Sequence, residues 1–316
     1  MYRKIIPFLF FISFSSMAQQ KLAKEFSFVN DNDLFVSKEK DRYYTNGIFF
    51  TYRYLAKNNN EKLEKKIYEW QFTHLMFTPN KPIVTDIAEH DRPFASYLNA
   101  SFGIHKVYTS QQIIKAELQV GVIGPAALGE GLQNFIHDLY GFDRPTGWKY
   151  QIRNAIGINI NGFYTKSLSI DKDHRNDINF ISAVRLGTVF TDASAGFYGR
   201  IGFNKLQKIS NSIAFNTSLN NQSTSSVRGI ESMIYYKGYL SYVLYDATIQ
   251  GSFLNTSSPV TFEVNPLRFD FELGLLFTAN RINFGYAYHF YTDKQKNLLF
   301  SGGNSYGSIR FNYLFN

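Results

Sequence analysis

The sequence predicts an all-β protein, a transmembrane antiparallel β-barrel of about twelve strands with one short amphipathic helix in an extracellular loop. Three observations predict it. Segments spread along the chain alternate apolar and polar residues, the period of a strand with two different faces. The apolar partner in that alternation is very often aromatic, with 31 Phe and 22 Tyr in 316 residues. Beyond residue 18 no stretch approaches the roughly 20 apolar residues that a helical span needs.

The chain opens with Arg3 and Lys4, an apolar run Ile5–Phe14, and Ser16-Met17-Ala18, which together read as a signal peptide over 1–18. Its apolar run is too short for a membrane anchor. Residues 19–316 then form the barrel domain. Without Arg3 and Lys4 the chain carries 31 basic and 25 acidic residues, or +6. That modest, unclustered excess does not suit nucleic acid, and it fits contact with an anionic surface. The absence of Cys excludes disulfides, thiolate metal sites and a Cys nucleophile.

Strands are expected near 24–35, 43–56, 66–77, 94–108, 111–122, 149–166, 176–191, 194–204, 234–249, 264–278, 280–292 and 305–315. The late strands are clearest. Phe269, Phe271, Leu273, Leu275 and Phe277 alternate with Arg268, Asp270 and Glu272. Likewise Ile282, Phe284, Tyr286, Tyr288 and Phe290 alternate with Asn283, Gly285 and His289. A soluble sandwich would bury the aromatics, whereas a barrel with a wet lumen turns them outward to lipid. The last segment carries Ile309, Phe311, Tyr313 and Phe315 on one face, like the closing strand of outer-membrane proteins, with Asn316 after it. Polar connections separate the segments, expected short on the inner side and long on the outer. That over Gln207–Arg228 has a low-complexity run and reads as a mobile loop.

One stretch departs from the strand period. Leu128, Leu132, Phe135, Ile136 and Leu139 recur at helical spacing, after Pro125 and before Gly141. Gln133 and His137, four apart, project from one face beside that stripe. A polar pair on a helix flank is ordinarily mere surface. Two further clusters sit at expected strand ends: Asn30-Asp31-Asn32-Asp33, and Arg42-Tyr43-Tyr44-Thr45-Asn46-Gly47. In a regular strand Asn30 and Asp31 leave opposite faces, so one site uses both only at a bulge or rim. Turn residues are the simplest reading of Asn and Asp there. An EF-hand starting at Asp31 fails, with Val36 at position six and Arg42 at position twelve. Gly303-Asn304-Ser305-Tyr306-Gly307 matches a nucleophile elbow in letters only, because a strand follows it. The remaining histidines show no zinc spacing.

In order along the chain, Asn30-Asp31, Tyr44-Thr45-Asn46-Gly47, Asp91-Arg92-Pro93-Phe94, Gly121-Val122-Ile123-Gly124-Pro125, Gln133-Asn134-x-x-His137, Asp143, and Trp148 with Gln151 resemble the outer-membrane lipid A 3'-O-deacylases, the LpxR family. The resemblance implies a twelve-stranded barrel acting as a calcium-dependent esterase that removes the 3'-acyloxyacyl group of lipid A. It implies His137 as general base supported by Gln133, with Asn30, Asp31 and Thr45 lining the site. Asp31 and Asp143 become the Ca²⁺ ligands, Asp143 standing where the family pattern has Glu.

The chemistry agrees. Ester hydrolysis needs an activated nucleophile, and histidine is the side chain suited to deprotonate water near neutral pH. Hard carboxylate oxygens suit Ca²⁺ as a Lewis acid. No Ser beside a His is evident, which favours direct attack by water. Arg42, Lys81 and Arg92 are candidates to hold lipid A phosphates, or are rim charges facing headgroups. Lipopolysaccharide in the outer membrane is then the partner of a monomeric chain. A passive porin-like barrel, or a phospholipase with a Ser–His pair in the wall, is the competing reading.

Overall fold

The computed structural model describes residues 21–36 and 42–316, so the expected signal peptide lies outside the described residues. The twelve strands are β1 (Lys24–Asn32), β2 (Asn46–Ala56), β3 (Leu63–Phe77), β4 (Ala95–Tyr108), β5 (Gln112–Ile123), β6 (Ala155–Ile170), β7 (Asn176–Gly187), β8 (Phe190–Gly202), β9 (Ser232–Asp246), β10 (Leu267–Ala279), β11 (Ile282–Tyr291) and β12 (Asn304–Phe315). Each pairs antiparallel with the next, and β1 with β12, closing the barrel without a free edge. Each expected segment has its strand. The sixth starts late because Gly147–Tyr150 forms a 3-10 turn.

Alternation sorts the two faces as the sequence suggested. Phe26, Phe50, Trp70, Phe72, Leu118 and Leu240 stand exposed on the outside. Inward residues are largely polar, and most of the charges among them are paired or hydrogen-bonded, as desolvated charges require. Arg53 bridges Glu25 (2.7 Å) and Glu69, and Lys115 bridges Glu69 (2.7 Å) and Glu117 (2.5 Å), a network across β1, β2, β3 and β5. A cavity of about 630 Å³ remains in the lumen. Among the described residues no helix is long and apolar enough to cross a membrane.

Phe284 faces outward but lies close to the β10–β11 turn, so Leu240, halfway along β9, probes the lipid face better. Leu240→Arg should cost roughly 2–4 kcal/mol of folding stability at mid-bilayer depth. Denaturant titration of the barrel in lipid vesicles checks this, and unchanged stability would contradict the facing.

The loop expected to be mobile is instead folded into the barrel end where β1 begins. Lys65 Nζ donates to Asn211 Oδ1 (2.9 Å) and to the Thr217 carbonyl (2.8 Å), and Ile209 and Leu219 pack on Leu22, Ile67 and Leu314. Its Ser, Thr and Asn side chains bond backbone groups within the loop, which low complexity concealed. It is also a long connection on the end expected to have short ones. At the opposite rim Tyr44, Phe77, Tyr97, Ile123, Ile152, Phe190 and Tyr291 form an apolar cap.

Candidate active site on the outer wall

The helix α1 (Gly129–Tyr140) stands at the capped rim, between β5 and β6. Pro125 opens a 3-10 turn, Pro125–Ala127, that leads into it, and Gly141, with φ 75°, ends it. The turn is anchored to the outside of the wall. His74 Nε2 donates to the Ala127 carbonyl (2.9 Å), and Ser96 Oγ donates to the Gly124 carbonyl (3.2 Å). Strand register places His74 and Ser96 outward, opposite in phase to the luminal Glu69, Gln71 and Asn99. The helix therefore packs on the outer surface of β4.

The buried face of the helix is its polar one. Gly129, Gln133 and His137 form the buried face, whereas Leu128, Phe135 and Leu139 are about two-thirds exposed. Close approach at Gly129 explains this seat: a Cβ there would lie 2.6 Å from Ser96 Cβ and from the Trp148 ring. Trp148 is fully buried against Met76 and Phe94. Gly129→Val should lift α1 from the wall and abolish activity while the barrel still folds, which heat-modifiable migration on gels would show. Retained activity would show that the helix seat is dispensable.

Two hydrogen bonds set the chemistry of that buried face. Trp148 Nε1, which can only donate, bonds Gln133 Oε1 at 2.7 Å. That fixes the amide orientation and leaves Gln133 Nε2 buried with no protein acceptor. His137 Nδ1 donates to the Asp143 carbonyl at 2.5 Å, so in the neutral imidazole Nε2 is the nitrogen that accepts. The Asp143 backbone, rather than Gln133, orients the imidazole.

The other expected residues divide between the faces of the wall. β1 is regular at Asn30 and Asp31, with no bulge. Asn30 points outward, Nδ2 donating to the Gly47 carbonyl (3.0 Å), in a row with Ile48, His74 and Leu98. The next row is Asn32, Asn46, Met76 and Ser96, which runs beneath the start of α1. Asn46 Oδ1 there is buried and unpartnered. Thr45 is buried at the rim, its hydroxyl 2.6 Å from Thr78 Oγ1.

Asp31 instead lines the lumen, where Tyr44 OH (2.8 Å) and Ser308 Oγ donate to its two oxygens. Asp143 lies exposed in the loop after α1. The two carboxylates are on opposite sides of the wall and do not form one cation site. Among the described residues no three His, Asp or Glu side chains converge as metal ligands. Lys81 and Arg92 are not paired for a phosphate either. Lys81 is exposed beside Glu89, whereas Arg92 is buried, donates to Thr248 Oγ1 (3.0 Å) and stacks on Phe77. Burial lowers its pKa to about 10. Arg42 bonds Asn80 Oδ1 (2.6 Å) and stacks on Phe300.

One constellation escaped the sequence. Ser308 Oγ is 2.8 Å from His289 Nε2, and Glu272 lies 3.8 Å from His289 Nδ1. Only the pairing of β11 with β12 reveals it, since the residues are remote in sequence. It is not an activated nucleophile. Asp31, as a carboxylate, only accepts, so Ser308 donates its single proton there and must accept from His289. The group also faces the lumen, away from lipid. Among the described residues, this Ser–His pair therefore does not support a wall serine hydrolase.

A closed twelve-stranded barrel with an apolar outer belt, a polar lumen and a rim helix whose buried face is polar defines an outer-membrane β-barrel protein. The model of the family described as outer membrane protein LpxR matches residues 5–315, and the chain belongs to that family. Among solved structures, LpxR from Salmonella typhimurium superposes with a TM-score of 0.73 at 17% identity, over 92% of this chain and 100% of that one. The β domain of the Bordetella autotransporter BrkA matches with a TM-score of 0.45 at 7% identity, over 94% of this chain and 99% of that one. No curated protein matches by sequence.

Proposed function

We propose that the chain is a lipid A deacylase of the outer membrane, hydrolysing the 3'-acyloxyacyl ester by attack of water. The observation that carries this is the buried polar face of α1, with His137 and Gln133 turned toward the outer wall, where lipid substrates reside. His137 Nε2 takes a proton from water as the oxygen attacks the acyl carbonyl. The Gln133 Nε2–H groups, which have no protein acceptor, donate to the oxyanion that develops. Collapse breaks the ester bond, and His137 returns the proton to the departing sugar oxygen. Asn30 and Thr45 belong to the same rim; Asn30 lies in the outward row that includes His74.

Asp31 acts in this scheme from behind the wall. Its backbone carbonyl accepts from Asn46 Nδ2 (3.1 Å), and its side chain braces Tyr44 and Ser308. Calcium enters through the family resemblance alone. Asp31 and Asp143 do not fit one ion, and no step above uses it. Chelation tests the ion directly: if calcium is used, activity falls in chelator and returns with added Ca²⁺ while the barrel stays folded, and the ligands are then groups other than this carboxylate pair. Full activity in excess chelator would remove calcium from the proposal.

Mass spectrometry of lipid A from cells expressing the chain tests the activity itself. Loss of the 3'-acyloxyacyl mass is expected. An unchanged pattern, with folded protein in the membrane, would favour a passive barrel.

A further inference from the structure

The exposed side of α1 is not uniform. At about 100° per residue, Leu132, Phe135 and Leu139 fall in an arc of roughly 60° on one flank of the buried face, and Leu128 precedes them at the helix entry. Glu130, Gly131, Asn134 and Asp138 occupy the other flank. The helix thus has three sectors, one against the wall, one polar and one apolar. Leu128, Phe135, Leu139, Tyr140 and Phe142 are all at least half exposed. A water-facing helix would not hold so many large apolar groups together, and such patches mark an interaction surface.

We propose that α1 is an interfacial helix whose Leu128–Phe135–Leu139 stripe is immersed in the acyl chains of the outer leaflet, with Glu130 and Asp138 in the aqueous headgroup zone. Continuity selects lipid as the occupant. α1 is seated on the outer surface of β4, beside the outward residues Met76 and Ser96 at the upper rim. Directly below along β3 and β4 run Phe72, Trp70 and Phe102, part of the belt that faces the bilayer. The apolar stripe extends that belt upward by one helix. Salt-bridged Asp138 and Arg144 (2.6 Å) lie exposed on the polar side, as expected at a headgroup boundary. Leu128 enters the helix in a left-handed conformation, φ 63°, unusual for a residue with a branched side chain.

The absence of cysteine makes the test clean. Nitroxide labels are placed singly by Leu139→Cys, Phe135→Cys and Asp138→Cys, and the full chain is reconstituted in vesicles containing lipopolysaccharide. Collision with oxygen, which partitions into lipid, is compared with collision with a water-soluble nickel chelate. The ratio should favour oxygen severalfold more at Leu139 and Phe135 than at Asp138. Equal ratios at the three positions, or nickel-dominated collision at both apolar ones, would overturn the proposal. Gel migration confirms folding, and Phe135→Cys carries the test if Leu139→Cys fails to fold. The readout does not involve the reaction, so it stands or falls apart from the proposed activity.

Discussion

Substituting Gln for His137 should lower the hydrolytic rate by about 10²–10⁴-fold, the usual contribution of general-base assistance, with the barrel intact. The amide fills similar space and can still donate to the Asp143 carbonyl, so the local bond that holds the loop survives. What it lacks is a nitrogen able to accept a proton. A purely packing role for His137, which is 7% exposed, would instead leave the rate nearly unchanged. The measurement is the rate of acid release by purified protein. A substituted protein near the wild-type rate would exclude His137 as the base.

Gln133→Glu should be nearly as damaging, by about 10²–10³-fold, the effect of removing one oxyanion donor. The carboxylate is isosteric and still accepts from Trp148 Nε1, so the helix seat is preserved. It replaces the unpartnered N–H donors with an acceptor, and with negative charge where negative charge must develop. If Gln133 only supported the imidazole, Glu would serve as well or better. An active Gln133→Glu protein would therefore exclude the oxyanion role and leave His137 as the only group of the pair in the reaction.

Much of this was legible in the sequence, and each failure has a physical cause. Alternation located every strand because each inward residue meets a wet lumen and each outward one meets lipid. The opposite facing of Asn30 and Asp31 followed from the same rule. The helix was found by its period, but the usual inference that an apolar stripe is buried fails for a helix seated on the outside of a membrane barrel. There the protein-facing side, Gly129, Gln133 and His137, is the polar one. Gln207–Arg228 looked mobile because its order comes from hydrogen bonds of small polar side chains, which leave no periodic trace. The joining of Ser308 to His289 and Asp31 depends on strand register across β1, β11 and β12, which local pattern does not encode.

The most direct measurement incubates purified, folded protein with lipid A in mixed micelles and weighs both products. The expected result is lipid A lighter by the 3'-acyloxyacyl group and free acyloxyacyl acid carrying one oxygen from labelled water, both formed about 10²–10⁴-fold more slowly with His137→Gln. Intact lipid A with the wild-type barrel, or equal release by His137→Gln, would contradict hydrolysis at this site.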